Sequence, residues 1–151
     1  MRDDPQLSVS RDDIGSDLFT HYETTMKKGF FSHQVCFEEK LLDKYIVYLT
    51  MDDCFQSVQP FRCEVSLTTF CEGVLFVVSP DFSAAENDFC RQLTDYMEAH
   101  PTVSVGEAIL ATPAYRSCRV TEGEKCRLYT VMTDWSTGRL RDGKLTLSNV
   151  L

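Results

Sequence analysis

Alternating apolar and polar positions mark the first of two neighbouring strands near the middle of the chain. In residues 61–68 the odd positions are apolar and the even positions are polar, which is the pattern of a strand with one buried face. The next apolar run, residues 74–78, has no polar position and predicts a central strand buried on both faces. With residues 69–72 near the turn, the two segments are predicted to form a hairpin.

Residues 83–100 have the spacing of an amphipathic helix. Ser83 and Glu86 have the three-residue spacing of a capping box, in which each side chain accepts a hydrogen bond from an early backbone N–H group. Apolar residues then recur at every fourth position, at Phe89, Leu93 and Met97. Pro101 disfavours helical geometry in the residue before it, so the helix is expected to end by residue 100.

A second helix is predicted over residues 11–28. Its apolar stripe also has a spacing of four and consists of Ile14, Leu18, Tyr22 and Met26. Gly29 is suited to end this helix. The preceding residues 1–9 are polar and are expected to form a disordered tail, which leaves residues 10–151 as a single domain.

The remaining apolar segments predict further strands. They are residues 30–37, 45–51, 103–110, 115–120, 126–133 and 139–147. Residues 104–111 are equally compatible with a short helix, residues 52–60 are expected to form a loop, and residues 121–125 a hairpin loop. The predicted fold class is therefore α+β, with a single mainly antiparallel sheet of about seven or eight strands and two helices, 11–28 and 83–100, packed on it.

Composition changes this picture little. At 151 residues the chain fits one domain, and no apolar run approaches the roughly 18 residues of a membrane span. The first residues have no apolar segment of the kind found in signal peptides. The seven cysteines are an odd number, so we expect reduced thiols and an intracellular protein, cytoplasmic with the nucleus left open.

Charge narrows the range of partners. The formal net charge is −8, and residues 1–100 hold 8 basic against 18 acidic groups, whereas residues 101–151 hold 7 against 5. An acidic body repels phosphate and anionic lipid, so neither nucleic acid nor a membrane surface is expected as a partner. The basic last third either complements the acidic remainder within the molecule or offers a patch to an acidic partner.

Motifs for catalysis, metals and cofactors are missing. The sequence has no Cys-x-x-Cys pair, no glycine-rich phosphate loop and no Gly-x-Ser-x-Gly element. Cys54 is the best candidate for an exposed thiol, but Asp52 and Asp53 beside it disfavour the thiolate. We therefore predict no catalytic residue, no metal site and no cofactor.

One surface candidate stands out. Trp135, the only tryptophan, lies in a turn-rich segment close to Arg139 and Arg141. Tryptophan and arginine are enriched among residues that dominate protein interfaces, so these three are predicted to bind a carboxylate-bearing protein partner. The competing interpretation is that Trp135 closes one end of the core.

These observations favour a non-catalytic intracellular protein-interaction domain, adaptor-like or chaperone-like, that binds another protein or a second copy of itself. One alternative is a small apolar-ligand-binding protein with a pocket between sheet and helix, lined by Tyr45, Tyr48, Phe76 and Phe89. The other is an enzyme with a dispersed Cys/His site. A ligand pocket requires a cavity of several hundred cubic ångströms under the helix, on the order of known ligand sites, and an interaction domain does not.

Overall fold

The computed structural model of the chain describes residues 27–62 and 67–151. Within them the fold is α+β, with helices packed on a seven-stranded, mainly antiparallel sheet, which confirms the predicted class. The predicted tail 1–9 and nearly all of the predicted helix 11–28 lie outside the described residues. The exceptions are Lys27 and Lys28, which lie at the start of a strand and not at the end of a helix.

Nine strands occur in the described ranges. They are β1 (Lys27–Phe37), β2 (Lys40–Thr50), β3 (Phe55–Pro60), β4 (Thr68–Phe70), β5 (Val74–Val78), β6 (Arg127–Val131), β7 (Thr133–Asp134), β8 (Arg139–Leu140) and β9 (Leu147–Asn149). The strands predicted near 30–37, 45–51, 74–78 and 126–133 are confirmed. Val74–Val78 is fully buried along its length, as its uninterrupted apolar sequence requires.

The helices follow the fifth strand. They are a 3₁₀ turn (Pro80–Ala85), α1 (Glu86–Ala99), α2 (Val105–Ala111), α3 (Pro113–Arg116) and a second 3₁₀ turn (Arg141–Gly143). The segment that the sequence left open between strand and helix is thus helix α2. No helix in the described residues is long and apolar enough to cross a membrane.

The sheet has the strand order β9-β6-β5-β1-β2-β3, and β4 also pairs with β1. Strands β4 and β5 run parallel to β1, and the other pairs are antiparallel. Strand β2 lies between β1 and β3, in the interior of the sheet. The turn between β1 and β2 is Glu38-Glu39, with φ 55° at Glu38. Strands β7 and β8 form a separate small hairpin.

The core lies on both faces of β5. Val74, Phe76 and Val78 belong to a cluster with the helices, and the alternate residues Leu75 and Val77 belong to a second cluster with β1, β2 and β6. Helix α1 contributes Phe89, Leu93 and Met97 to the first cluster, which confirms its predicted apolar stripe.

The predicted hairpin of 61–68 with 74–78 is wrong. Residues 63–66 lie outside the described ranges, Phe61 and Arg62 are irregular, and β4 and β5 both pair with β1, while the other edge of β5 pairs with β6. The chain therefore steps sideways between them without reversing. Gly73 permits this step because it has φ +85°, and a Cβ there would collide with the carbonyl oxygen of Val131.

Three other segments also differ from prediction. The expected loop 52–60 contains strand β3, and the expected strand 115–120 begins as the end of helix α3. The expected strand 139–147 is divided into β8 and β9 by the 3₁₀ turn at Arg141–Gly143. The loop 121–125 does not join two paired strands; it hydrogen-bonds to Phe55 at the start of β3.

The capping box is present at a different helix. Pro80 starts the 3₁₀ turn earlier than expected, so Ser83 falls inside it and its hydroxyl donates to the carbonyl of Pro80. The predicted Ser83–Glu86 box is therefore wrong, although α1 does end just before Pro101. Ser104 and Glu107 form a complete capping box at the start of α2.

Candidate functional site

A groove with aromatic walls opens beside the N-terminal half of β1. It has a volume of about 450 Å³ and its lining residues, which define the aromatic groove below, are Phe31, His33, Phe70, Cys71, Glu72, Trp135 and Arg141. Two of the large apolar side chains in it are exposed, Phe70 at 55% and Trp135 at 43%. Such exposure of large aromatic rings in one concave place is typical of a binding surface.

Parallel pairing of β1 with β4 builds one wall of the groove. Phe31 on β1 is in register with Phe70 on β4, and the backbone N–H of Cys71 donates to the carbonyl of Phe31 at 2.7 Å. The Phe31 and Phe70 rings are consequently 5.3 Å apart. The Phe61 ring packs against the Phe31 ring at 4.8 Å and meets the Phe70 ring edge-to-face at 6.4 Å.

Trp135 is presented by the turn between β7 and β8. One carboxylate oxygen of Asp134 accepts from the backbone N–H and the hydroxyl of Ser136, at 2.9 and 2.6 Å. Gly138, with φ +75°, closes the turn by donating to the carbonyl of Asp134 at 2.7 Å. The turn is thus held at both ends, and it places the indole ring edge-to-face with the His33 ring at 5.8 Å.

Among the described residues, the charged side chains of Glu72 and Arg141 line the groove, and the Asp134 carboxylate belongs to the turn that presents Trp135. A nitrogen of Arg141 lies 3.8 Å from a carboxylate oxygen of Glu72, and both side chains are largely in solvent. Hydrogen bonds from the Ser136 hydroxyl and backbone, with smaller contributions from the Thr137 N–H and Arg141, lower the pKa of Asp134. Asp134 is therefore ionised at neutral pH.

Cys71 is the thiol in the groove. Burial raises its pKa to about 11, so it is protonated at neutral pH. His33 lines the same groove, so a cysteine and a histidine, the residue types of the Cys/His site considered above, share it. A nucleophilic cysteine needs a lowered pKa, and this environment acts in the opposite direction.

Arg139 lies at the C-terminal end of α1 and not with the groove residues. Its guanidinium donates to the carbonyls of Met97, His100 and Val103, at 3.1, 3.1 and 2.7 Å, and so binds the C-terminal end of α1. It does not line the aromatic groove. Of the three residues predicted from sequence, the structure brings Trp135 and Arg141 together and places Arg139 at the helix end.

Sequence reasoning missed the other groove residues. Phe31 and His33 were assigned only to a strand, and Phe70 only to a turn. A phenylalanine in a predicted turn was a usable signal, because a turn residue is exposed and an exposed phenylalanine is unusual. The register that brings Phe70 beside Phe31 depends on parallel pairing over about 40 residues of chain, which no local pattern reveals.

The residues proposed for an apolar-ligand pocket do not form one group. Phe76 and Phe89 are fully buried in the helix-side cluster, with ring centroids 5.2 Å apart. Tyr45 packs against the other cluster, and the Tyr48 ring lies under the ammonium group of Lys27 at 4.5 Å. Phe82, Tyr115 and Tyr129 surround the Phe76 ring at 5.5 to 5.9 Å, so aromatic side chains occupy the space around it.

In the two described ranges, no three His, Cys, Asp or Glu side chains are grouped so that they could hold a metal ion. The six cysteines in those ranges are free. Cys54 is half-buried, and its backbone N–H donates to the Thr50 hydroxyl at 3.0 Å. Comparisons with protein-family models, with curated proteins and with solved structures found no significant match to this chain.

Proposed function

We propose that this chain is a non-catalytic protein-interaction domain and that the aromatic groove is its interface. The observation that carries the proposal is the pair of exposed rings, Phe70 packed against the buried ring of Phe31 and Trp135 packed against the ring of His33. Exposed aromatic surface on a preorganised scaffold binds without a large ordering cost, and aromatic residues supply most of the affinity at many interfaces.

The scaffold supports this proposal in two further ways. Phe70 is fixed by strand pairing and Trp135 by a closed turn, so the two rings sit on parts of the fold with hydrogen-bonded backbones. The raised pKa of Cys71 leaves a thiol that is a poor nucleophile, which favours binding over catalysis. Free cysteines throughout the described residues fit an intracellular setting, where thiols stay reduced.

The test is quantitative affinity capture with the full chain, followed by binding measurements on a purified partner. We expect a specific partner to be retained by the wild type and lost with both Trp135→Ala and Phe70→Ala. Met51→Ala is the matched control, because Met51 is 49% exposed but does not line the groove. Each groove variant should weaken the dissociation constant by about thirtyfold, equivalent to about 2 kcal/mol, with an unchanged melting temperature.

Two results would contradict the proposal. One is a partner that binds both groove variants as tightly as it binds the wild type. The other is loss of binding that merely follows a lower melting temperature in Trp135→Ala, because that result would show that Trp135 closes the core. A second copy of the chain as the partner would appear as self-association that both groove variants abolish.

A further inference from the structure

We propose that the aromatic groove receives a cationic side chain, arginine or lysine, from a basic segment of the partner protein. This inference rests on the proposed function and deepens it by stating the chemistry of the partner. It reverses the expectation of a carboxylate-bearing partner that the positions of Arg139 and Arg141 in the sequence suggest.

The walls of the groove suit a cation. The indole of Trp135 and the ring of Phe70 both line it and both have exposed faces. The face of an aromatic ring carries negative electrostatic potential, so it attracts an ammonium or guanidinium group within about 6 Å, and tryptophan does so most strongly. Arginine can also stack on a ring through its flat guanidinium group.

The charges around the groove also favour a positively charged ligand. Among the described residues, the ionisable groups that line the groove are His33, Cys71, Glu72 and Arg141, and Asp134 lies in the turn that presents Trp135. Carboxylates therefore outnumber guanidinium groups at the groove, with Glu72 and Asp134 against Arg141. Arg139 does not alter this balance at the groove, because its guanidinium is directed at the end of α1.

The ion pair in the groove is weak enough to be exchanged. The Arg141 nitrogen is 3.8 Å from the Glu72 oxygen, which is beyond hydrogen-bond distance, and the Glu72 side chain is 77% exposed. Exposed pairs of this kind contribute little stability. An incoming guanidinium or ammonium group can therefore replace Arg141 as the ion-pair partner of Glu72 while the aliphatic part of the incoming side chain lies on the Trp135 ring. The net charge of −8 would further speed the approach of a basic segment.

Trp135 makes the test direct, because it is the only tryptophan in the chain and its fluorescence reports on the groove alone. The full chain is titrated with a blocked peptide in which arginine alternates with glycine, and with the same peptide carrying citrulline, the uncharged analogue of arginine. We expect the arginine peptide to change the Trp135 emission with an affinity that falls as salt rises. The citrulline peptide should bind at least about tenfold more weakly.

Two charge variants give effects of opposite sign. Glu72→Gln should weaken binding of the arginine peptide by about fivefold, and Arg141→Gln should tighten it by about threefold, because Arg141 competes for the same carboxylate. A carboxylate-binding groove would show the reverse for Arg141→Gln. Glu122→Gln, which removes an exposed carboxylate outside the groove, is the control and should leave the affinity unchanged.

Several results would overturn the proposal. They are equal binding of the citrulline peptide, tighter binding of a glutamate-containing peptide, and weaker binding of the arginine peptide by Arg141→Gln. Protection of Trp135 from acrylamide quenching in the free full chain would show that another part of the chain covers the groove. Protection that grows with protein concentration would show that a second copy covers it.

The outcomes separate this inference from the proposed function. If affinity capture finds a partner that depends on Trp135 and Phe70 but the arginine peptide does not bind, the interaction surface stands and the cationic ligand is rejected. If the arginine peptide binds as described but no captured protein depends on the groove, the site chemistry stands and the protein-interaction function is rejected.

Discussion

Arg139 shows how a single side chain can look like a binding residue in the sequence and serve the fold in the structure. The last carbonyls of a helix have no partners within the helix, and here the guanidinium of Arg139 donates to Met97 and His100 at that end of α1. It also donates to the carbonyl of Val103 in the following loop. A cation at this position also interacts favourably with the negative end of the helix dipole.

At the residue scale we predict that Arg139 matters for stability and Arg141 does not. Arg139→Gln should lower the free energy of unfolding by about 2 kcal/mol, because three carbonyls lose a charged donor. Arg141→Gln is the matched control and should stay within about 0.5 kcal/mol of the wild type, because its only described ion pair is loose and exposed. Urea denaturation of the three proteins measures both values. Equal midpoints would show that the Arg139 contacts do not stabilise the helix end.

The sequence singles out a residue when its type is rare in the chain and its near neighbours are unusual, and not when its contacts come from distant segments. The sequence singles out Trp135 and Arg141 because Trp135 is the only tryptophan and lies close to arginine residues in a turn-rich segment, and both residues line the aromatic groove. The contacts of Arg139 join residues 36 to 42 positions apart, and nothing in the local pattern points to them. His33 and Glu72 likewise come to line the groove only through the pairing of distant strands.

At the scale of whole elements, the hydrophobic periodicity of the sequence predicts the strand and the helix whose apolar residues are buried. The five residues of β5 are buried on both faces, and the stripe of α1 faces the first core cluster. Leu93 lies in the middle of that stripe and is fully buried, whereas Glu98, on the same helix, faces solvent. These two positions therefore test whether the stripe carries the stability of the helix.

Leu93→Ala should lower the free energy of unfolding by about 2 to 5 kcal/mol, because it removes buried methyl groups and leaves a cavity beneath α1. Glu98→Ala is the control on the same helix and should change that free energy by no more than about 0.5 kcal/mol. Thermal and urea unfolding of both variants give the comparison. Similar losses in the two variants would reject the assignment of the core face.

Elements without strong periodicity were missed for identifiable physical reasons. Strand β3 contains Gln56, Ser57 and Gln59, and it is a strand because an edge position needs backbone pairing with β2 and little burial. Pro113 starts the short helix α3, so Tyr115 is directed into the core and donates its hydroxyl to the carbonyl of Glu38 at 2.9 Å. The apolar residues around Tyr115 predict a strand, whereas Tyr115 itself belongs to a helix.

At the scale of the whole molecule, the two core clusters hold ionisable groups in their neutral forms. Burial raises the pKa of the Cys36 thiol, and burial with nearby Asp53 and Cys54 raises the pKa of Cys126 to about 12. Burial and the hydrogen bond to Glu86 raise the pKa of Tyr129 to about 12. Cys36 and Tyr129 belong to one cluster and Cys126 to the other, so both faces of the sheet share this property.

This property predicts that the fold loses stability in alkali. A thiol in the unfolded chain loses its proton near pH 8.5, whereas Cys36 and Cys126 keep theirs in the folded protein. Their contribution to stability is therefore complete below about pH 8.5 and is lost as the pH rises toward their folded pKa values. Each buried thiol should lower the free energy of unfolding by up to about 1.4 kcal/mol per pH unit above that point, and Tyr129 should add to the loss above about pH 10.

Cys36→Ala isolates one of these groups. The variant should be less stable than the wild type at pH 7 because it leaves a small cavity, yet its free energy of unfolding should fall less steeply between pH 9 and 11, by about 1.4 kcal/mol per pH unit. Val35→Ala is the control, because Val35 is also fully buried and its truncation removes volume without removing an ionisable group. This variant should lower the free energy of unfolding at every pH and leave its slope against pH unchanged. Urea unfolding at closely spaced pH values measures the slopes. Parallel curves for Cys36→Ala and the wild type would mean that the Cys36 thiol ionises as readily in the folded protein as in the unfolded chain.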